Sequence, residues 1–511
     1  MADWTLYDFF RDTATKHGER VALEIGGTSF TYRRLLEAVE RTAALIAGAR
    51  SGGSPRIGLL ASRSLAGYAG FLAILRLGLC AVPLNPYTTA GRNADIAKAA
   101  GLGLVVADGS AGHAPDALGT ETLLLTDARI LGRVPVMEAP APETGELAYI
   151  GFTSGSSGRP KGVRITHANA RAFVRDALER FAFDRDSRVA QVFELSFDPA
   201  IHEMFGAWGA GGTLCVVPRA DVLFPRDFVT ALRVTHLLAL PSMISFALAE
   251  GQLTPGGMPT LRHVLLGGEA VTYAHAEAFA RAAPDATLYN CYGPTELTVL
   301  CAGYRLPRPR SHWPVTSNGT VPIGEVYAHL EHVLLDEDGR PGEAGELCVR
   351  GPQRFPGYLD PAADAGRFVS IDAGRVREVT GTPAGSDWYR TGDRVVRENG
   401  LLVHAGRLDA QIKIDGFRVE PGEVEAVLRA HPGVVDVVVV PRPHAGGGLA
   451  LVAHYTGEPL TAGELSEFAA VLPPHMRPVS YNHRTDIPLT PNGKADRRLL
   501  AETGERGGGS R

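Results

Sequence analysis

The segment from Tyr149 to Val163 constrains the chain more than any other, because an apolar stretch runs directly into glycine and hydroxyl residues that end in a lysine. Glycines allow backbone N–H groups to turn toward an anion, and serine and threonine hydroxyls add further donors. A lysine supplies a positive charge for the same oxygens. The segment therefore predicts a phosphate-binding loop made by Thr153, Ser154, Gly155, Ser156, Ser157, Gly158 and Lys161.

The spacing of this loop is not that of a Walker A motif. That motif has a glycine, four residues, and then Gly-Lys followed by Ser or Thr, whereas Lys161 is followed by Gly162. A kinase-like P-loop fold is therefore disfavoured, and the loop indicates another class of nucleotide chemistry.

Further motifs follow the loop in a fixed order: Asn290–Glu296 (NCYGPTE), Tyr389–Asp393 (YRTGD), Gly406–Asp409 (GRLD) with Lys413–Arg418 (KIDGFR), and Pro491–Lys494 (PNGK). Together with the loop they closely resemble the adenylate-forming superfamily. That superfamily includes acyl-CoA synthetases, luciferases and the adenylation domains of nonribosomal peptide synthetases. The resemblance extends over roughly residues 5–502, and the shared order makes it highly specific.

Composition favours a soluble enzyme of the cytoplasm. The 51 Lys and Arg residues nearly balance the 56 Asp and Glu residues, and no block of like charge predicts a nucleic-acid surface. The N-terminal residues lack a signal-peptide pattern, and no apolar run approaches the ~20 residues that span a bilayer. Five scattered cysteines argue against a disulfide framework or a zinc site. Abundant Arg, Ala and Gly are typical of a bacterial protein from a GC-rich genome.

The order of strand and helix patterns predicts an α/β fold. Apolar runs such as Arg56–Leu60 and Leu102–Ala107 alternate with helical patterns such as Leu65–Leu77, which is typical of layered α/β units. We expect an N-terminal adenylation core over residues 1–406, with a β-rich subdomain from about residue 320.

A smaller α+β domain is expected over residues 407–502, and by resemblance it is the family's mobile lid. Its signals are an amphipathic helix that begins at Pro421, followed by the apolar strands Val434–Val440 and Leu449–Tyr455. The Gly-rich tail, residues 503–511, is expected to be disordered.

The resemblance assigns ATP and Mg²⁺ as cofactors. The loop would grip the β- and γ-phosphates, and Glu296 would bind Mg²⁺, which favours one or two carboxylates completed by phosphate oxygens and water. Tyr292 would stack on adenine, and Asp393 would accept both ribose hydroxyls. The remaining nucleotide contacts would come from Gly268, Glu269, Asn290, Gly293, Thr295 and Arg407.

Lys494 is expected to bridge the substrate carboxylate and the α-phosphate. By resemblance, Asp409 is the hinge about which the lid rotates after the adenylate forms. Gly416 would then line the tunnel for the thiol. Family members often carry a basic residue where Asp415 stands, and this departure concerns the acceptor rather than adenylate formation.

Asp198 indicates the class of acid that is activated. In amino-acid-activating members an Asp at the matching position pairs with the α-ammonium group, and a carboxylate facing a pocket is costly without a cation. The alternative is that Asp198 caps a helix before Pro199. Matching the other pocket positions gives Pro199, His202, Ala239, Leu265, Gly267, Cys291, Val299 and Leu300, which suit a small to medium amino or imino acid. His202 either binds a polar side chain or fills space.

The acceptor is expected to be the phosphopantetheine thiol of a carrier protein supplied in trans, because the sequence shows no carrier or condensation motif. Two enzymatic alternatives are an acyl-CoA ligase that uses free coenzyme A and an amide-forming ligase. A third is a degenerate adenylate-binding protein, which predicts loss of Glu296, Asp393 or Lys494, and all three are present. Some members need a small accessory protein for folding, and the sequence leaves that requirement open.

Lys494→Ala tests the assigned bridge. We expect adenylate formation, measured by ATP–pyrophosphate exchange, to be abolished, because the two anionic reactants would lose the cation between them. ATP affinity, measured by calorimetry, should change little. Normal turnover of the variant would contradict the role of Lys494.

Overall fold

The computed structural model describes residues 4–50, 52–111, 115–132, 140–141, 143, 145–154, 160–372, 374–409, 411–444, 448–488 and 495–502. The chain forms two compact units. The larger contains residues 1–152 and 162–408, and the smaller contains residues 153–161 and 409–511.

The first part of the large unit alternates helices and strands: α1 (Leu6–Lys16), β1 (Val21–Ile25), β2 (Thr28–Thr31), α2 (Tyr32–Ala49), β3 (Arg56–Leu60), α3 (Leu65–Arg76), β4 (Cys80–Leu84), α4 (Ala90–Ala100), β5 (Leu104–Ala107), β6 (Thr122–Leu124), α5 (Asp127–Leu131), β7 (Leu147–Thr153), β8 (Lys161–Thr166) and α6 (His167–Arg180). Strands β3 to β8 form a six-stranded sheet in the order β6-β5-β3-β4-β7-β8. All residues of β4 and β5 are buried, as expected for parallel strands covered on both faces.

The alternation continues with β9 (Arg188–Gln191), α7 (Pro199–Ala210), β10 (Thr213–Val216), α8 (Pro225–Leu232), β11 (His236–Ala239), α9 (Pro241–Ala249), β12 (His263–Gly267), α10 (Tyr273–Ala282), β13 (Thr287–Tyr292), β14 (Ala302–Arg305) and β15 (Glu325–Val326). These strands join β1 and β2 in a nine-stranded sheet in the order β15-β14-β13-β12-β11-β9-β10-β1-β2. The neighbours from β13 to β1 are all parallel, and α7 follows β9 directly.

The last part of the large unit is rich in strands, namely β16 (Glu331–Leu335), β17 (Ala344–Arg350), β18 (Phe368–Asp372), β19 (Arg375–Glu378), β20 (Trp388–Glu398) and β21 (Leu401–Arg407). They form an antiparallel sheet in which β20 pairs with β17, β18 and β21.

The small unit contains β22 (Ile412–Ile414), β23 (Phe417–Val419), α11 (Pro421–Arg429), β24 (Val434–Pro443), β25 (Leu449–Gly457), α12 (Ala462–Phe468), β26 (Ser480–His483) and α13 (Arg497–Glu502). Strands β24, β25 and β26 form its main sheet. Helix α11 begins at Pro421, whose missing N–H costs nothing in the first turn of a helix. A separate core packs this unit around Val424, Leu428 and Tyr455.

The fold agrees with the α/β class that the sequence predicts, and most elements differ from their expected bounds by one to three residues. All five cysteines are buried, and none of them forms a disulfide. Within the described ranges, no helix is both long and apolar enough to cross a bilayer.

Candidate active site

The candidate site lies where the parallel strands of the nine-stranded sheet end. Strands β9, β11, β12 and β13 are neighbours and run parallel, so their carboxyl ends meet at one edge. Open α/β sheets bind ligands at such an edge. Ala239, Gly267 and Tyr292 are the last residues of their strands, and Asp198 lies in the segment that follows β9. Residues far apart in the sequence are thereby gathered at one edge.

Gly267 and Cys291 are direct partners across β12 and β13, and Leu265 lies two residues before Gly267 on the same face. A Cβ atom at position 267 would lie 2.5 Å from the carbonyl oxygen of Cys291. Glycine is therefore required for the two strands to pair this closely. Ala239 pairs with Leu266 of β12 rather than with Gly267. It reaches this edge because it is the last residue of β11.

The alternation of side chains along β13 separates two kinds of surface. Asn290 and Tyr292 point to one face, and Cys291 points to the other. The Asn290 amide nitrogen donates to the backbone carbonyls of Val321 and Pro322, both at 2.9 Å. Burial raises the pKa of the Cys291 thiol to about 12, so this side chain presents a neutral surface at neutral pH.

Asp393 is the centre of a buried polar cluster. The Tyr292 hydroxyl donates to its Oδ2 at 2.6 Å, and Arg407 Nη1 donates to its Oδ1 at 2.9 Å. His404 Nε2 lies 3.0 Å from the same Oδ1. Burial raises the pKa of Asp393, but hydrogen bonding to His404 and the charge on Arg407 outweigh it and hold the pKa well below its usual range. The carboxylate is therefore ionised and fixed in orientation.

Glu296 is fully buried beside two tyrosines. Tyr358 donates from its hydroxyl to Glu296 Oε1 at 2.6 Å, and the Tyr389 hydroxyl lies 3.4 Å from that of Tyr358. Tyr358 also forms a β-bridge with Val163, at the start of β8. Thr295 packs near Gly151 of β7, where a Cβ atom would lie 3.4 Å from its methyl group. The NCYGPTE motif is thus adjacent to both strands that flank the predicted phosphate loop.

The predicted phosphate loop is described only at its ends, which cluster with the small unit. Thr153 Oγ1 is buried, and no hydrogen-bond partner for it is found in the described part of the chain. Ser154 donates from its hydroxyl to the Arg418 carbonyl at 2.5 Å. Lys161 begins β8. Gly155, Ser156, Ser157 and Gly158 lie outside the described residues, as does Lys494.

Glu269, predicted to bind the nucleotide, stabilises the start of α9. Its Oε2 accepts the backbone N–H of Ser242, the second residue of that helix, at 2.9 Å. A carboxylate at a helix N-terminus satisfies an otherwise unpaired N–H and interacts favourably with the helix dipole. Gly268 has a φ of +82°, a backbone conformation that favours glycine, and a Cβ atom there would also crowd Leu240 Cδ2 at 2.6 Å.

Asp198 occupies the N-cap position of α7, but its side chain makes no capping hydrogen bond. The next residue, Pro199, has no N–H to be capped. Burial raises the pKa of Tyr149, and the negative charge of Asp198 raises it further. The Tyr149 hydroxyl is also buried, with no hydrogen-bond partner found across the described ranges.

His202 lies one turn further along α7, among three aromatic rings. Its ring centroid is 6.0 Å from that of Phe173, 5.3 Å from that of Phe181 and 5.4 Å from that of Phe183. Burial lowers the pKa of His202 to about 3, so the ring is neutral. Its Nδ1 is buried and has no hydrogen-bond partner among the residues that the structure describes. This packing among aromatic rings is consistent with the space-filling alternative.

Val299 and Leu300 lie on a tight segment after the NCYGPTE motif. Thr298 and Val299 have φ values of +58° and +71°, which non-glycine residues rarely adopt. Such conformations cost about 1–3 kcal/mol each and persist only where neighbouring groups hold them. At Gly293, a Cβ atom would lie 2.4 Å from the Val299 carbonyl oxygen, so the segment folds closely over this glycine.

Tyr358 and His404 contact the predicted site but carry no recognisable signal in the sequence. Tyr358 follows Phe355, Pro356 and Gly357, a run that predicts only a turn. His404 precedes Arg407 by three residues on β21. Only the pairing of β20 with β21 brings it to Asp393.

The small unit contains the predicted hinge and tunnel residues. Asp409 Oδ1 accepts the backbone N–H of Gln411 at 3.2 Å. Gly416 lies in the two-residue turn between β22 and β23, where Asp415 has a φ of +49° and Gly416 a φ of +78°. An Asp-Gly pair is favoured in such hairpin turns because both positions need positive φ. The turn conformation thus suits the aspartate that stands where family members often carry a basic residue.

Comparison with family models identifies the chain. The model of AMP-binding enzymes matches residues 10–359, and the model of the AMP-binding enzyme C-terminal domain matches residues 423–494. The chain belongs to the AMP-binding enzyme family.

Relatives place it among adenylate-forming enzymes of the nonribosomal peptide synthetase type. Phosphinothricin tripeptide synthetase PhsC of Streptomyces viridochromogenes is 34% identical over 534 residues, which cover 99% of this chain and 46% of the relative. The chain thus spans about half the length of that synthetase. The AMP-binding fold is also shared with the Vibrio cholerae adenylation domain AlmE in complex with glycyl-adenosine-5'-phosphate, at 25% identity, a TM-score of 0.83 and 97% coverage of both chains.

A second structure is a holo nonribosomal peptide synthetase protein that contains adenylation and PCP domains and is bound to a vinylsulfonamide inhibitor. It is 26% identical, with a TM-score of 0.80, and the match covers 98% of this chain and 84% of that chain.

Asp393→Asn tests the polar cluster of this AMP-binding enzyme. The KM for ATP should rise roughly 10- to 100-fold, because hydrogen bonds to a charged group contribute about 1.5–3 kcal/mol. Glu331→Gln is the matched control, since Glu331 is an exposed carboxylate paired with Arg350. Steady-state kinetics with ATP varied provide the measurement. An unchanged KM in the folded Asn variant would exclude Asp393 from nucleotide binding.

Proposed function

We propose that this enzyme activates a small to medium amino or imino acid as its aminoacyl-AMP and releases pyrophosphate. It then transfers the aminoacyl group to the phosphopantetheine thiol of a carrier protein supplied in trans. The observation that carries the proposal is Asp198, a half-buried carboxylate at the edge where the parallel strands end, which makes no capping hydrogen bond to its own helix.

A partly buried carboxylate at this position suits a substrate that carries an ammonium group. Removing a carboxylate from water is costly unless a cation compensates for the lost hydration. The Tyr149 hydroxyl, whose pKa the charge of Asp198 raises, is buried and has no hydrogen-bond partner in the described ranges. A substrate with an α-ammonium group would place a cation beside Asp198. This supports an amino acid over a fatty or aryl acid.

The cluster around Asp393 suits the nucleoside of ATP. An ionised carboxylate has lone pairs for about four hydrogen bonds. The contacts from Tyr292, His404 and Arg407 leave room for one ribose hydroxyl rather than the two expected from the sequence. Tyr292, fixed through its hydroxyl, offers a ring face for adenine. The Asn290 amide nitrogen is occupied by two carbonyls, which leaves its amide oxygen to accept from the adenine amino group.

Glu296 suits a magnesium site completed by the nucleotide. In the described part of the chain, no group of three or more His, Cys, Asp or Glu side chains is arranged to hold a metal. A single buried carboxylate fits Mg²⁺, which is commonly held by one or two carboxylates with phosphate oxygens and water. The ion would neutralise charge on the phosphates. Glu296 itself is held in place by Tyr358.

The first half-reaction joins two anions. A substrate carboxylate oxygen attacks the α-phosphorus of ATP, the bond to the bridging oxygen breaks, and pyrophosphate leaves. Orientation and charge cancellation are the main tasks of the protein in such a step. We assign binding of the ATP phosphates to Thr153, Ser154, Lys161, Thr295 and the loop residues between Ser154 and Pro160. The bridge between carboxylate and α-phosphate is assigned to Lys494.

The second half-reaction needs a thiol to replace AMP on the acyl carbon. We propose that rotation at Asp409 withdraws Lys494 and presents the hairpin of Gly416 to the entering thiol. The synthetase structure with adenylation and PCP domains supports a carrier-bound thiol as the acceptor. The assignment of Lys494 and Gly416 to separate steps follows from the resemblance to adenylate-forming enzymes.

The residues assigned to the substrate pocket favour a small or medium side chain. Five of these residues are buried and carry no charge, namely Ala239, Leu265, Cys291, Val299 and Leu300. Gly267 adds no side chain, and His202 is neutral. A second charged group on the substrate would therefore meet no compensating charge from these residues.

Asp198→Asn tests the substrate class. ATP–pyrophosphate exchange with a panel of amino, imino, hydroxy and aryl acids first identifies the best substrate. For that amino acid the variant should lose about 30- to 100-fold in kcat/KM, because a charged hydrogen bond becomes a neutral one. The same acid without its amino group should be affected less than about threefold.

Asp186→Asn is the matched control, because Asp186 is an exposed carboxylate that pairs with Arg20. Equal losses with the amino acid and its deaminated analogue would mean that Asp198 is only structural. Exchange by the wild-type enzyme with a fatty or aryl acid alone would favour an acyl-CoA ligase. A parallel assay with free coenzyme A and a phosphopantetheinylated carrier protein identifies the acceptor.

A further inference from the structure

Gln353 is a fully buried amide that contacts the segment carrying two of the assigned pocket residues. Its Nε2 donates to the backbone carbonyls of Leu297 at 2.9 Å and Leu300 at 2.8 Å, with Thr298 O further away at 3.4 Å. In return, the Thr298 hydroxyl donates to the backbone carbonyl of Gln353 at 2.6 Å. One side chain thus holds both ends of the segment Leu297–Leu300.

The segment needs such support because of its backbone conformation. Thr298 and Val299 are successive non-glycine residues with positive φ, and Val299 is β-branched. Conformations of this kind persist only when surrounding contacts determine them. Val299 and Leu300 are both buried, so a change in this backbone would move pocket-forming side chains directly.

The orientation of the Gln353 amide is itself fixed from the other side. Its Oε1 lies 2.5 Å from His329 Nε2, and because an amide oxygen can only accept, the histidine donates. His329 Nδ1 in turn lies 3.4 Å from Asp176 Oδ1. Asp176 accepts two hydrogen bonds from Arg180, each of 2.7 Å. The chain of contacts orients the amide nitrogen toward Leu297–Leu300.

The nucleotide side of the same motif is held by a separate contact. The backbone N–H of Phe355 donates to the Glu296 carbonyl at 2.9 Å. This bond involves no Gln353 side-chain atom. Loss of the Gln353 amide should therefore disturb Val299 and Leu300 more than Glu296, which distinguishes a pocket effect from a general loss of structure.

We propose that Gln353, oriented by His329, is a positioning residue that sets the pocket wall of Val299 and Leu300 and thereby selects the size of the substrate side chain. The inference rests on the proposed function, because it takes these two residues as the wall of an amino acid pocket. Gln353 itself need not touch the substrate.

Gln353→Met tests this role, because methionine preserves the length of the side chain and removes the amide donors. We expect the KM for the preferred amino acid to rise about tenfold, because the wall of Val299 and Leu300 would shift once the carbonyls of Leu297 and Leu300 lose their common donor. Discrimination against an amino acid one methylene larger should fall about fivefold. The KM for ATP should stay within about twofold, since the contacts of Asp393 do not involve Gln353.

His329→Leu provides a second variant at a partly exposed position, and it should change selectivity in the same direction by a smaller factor. His332→Leu is its matched control, because His332 lies only three residues further along the chain, in β16, and contacts Arg397 instead. All variants are compared as full-length protein after thermal unfolding shows that they are folded. If Gln353→Met does not fold, the selectivity of His329→Leu relative to His332→Leu alone decides whether the proposal stands.

An unchanged amino acid KM and unchanged selectivity in the folded variants would overturn the role of Gln353 while leaving the proposed function intact. A parallel rise of the KM values for ATP and amino acid would also overturn it, in favour of a general structural role. Failure of the wild-type enzyme to exchange pyrophosphate with any amino acid would instead overturn the proposed function, and with it the pocket on which this inference rests.

Discussion

Parallel pairing of β9, β11, β12 and β13 is the constraint on which the rest of the site depends. Parallel strands must be joined by crossovers, here the helices α7, α8, α9 and α10, so every strand returns to the same end of the sheet before it runs forward again. Their carboxyl ends therefore share one edge. Asp198, Gly267 and Tyr292 meet there although more than ninety residues separate the first from the last. The close contact of Gly267 with Cys291 shows how little space this pairing leaves.

The alternation of side chains along β13 gives this edge two chemically different faces. Tyr292 faces the ionised Asp393, whose charge is maintained by Arg407 and His404. Cys291 faces the opposite side, where the neutral ring of His202 packs among phenylalanines. One strand therefore has a polar face, which we assign to the nucleotide, and an apolar face, which we assign to the substrate side chain.

Sequence motifs were more informative about residue identity than about residue contacts. The motif Asn290–Glu296 predicted a nucleotide-binding segment, and the family comparison confirms the family to which it belongs. The same motif did not reveal that Tyr358 would hold Glu296, because Tyr358 lies in another part of the chain. Glu269 carries an additional structural role in stabilising α9 that a short Gly-Gly-Glu pattern does not show. Gln353 had no motif signal, since its importance comes from the backbone atoms it contacts.

The amino-acid sequence by itself determined the family, the α/β class and the chemical types of the site residues, because motif spacing and hydrophobic patterning are local properties of the chain. Only the tertiary structure decided which side chains share hydrogen bonds, which carboxylates are buried and which backbone segments need support. Asp393 illustrates the difference: a sequence identifies it as an acid, but its lowered pKa depends on His404 and Arg407 across paired strands. Hydrogen bonding and desolvation act over a few ångströms, and those distances exist only after the chain has folded.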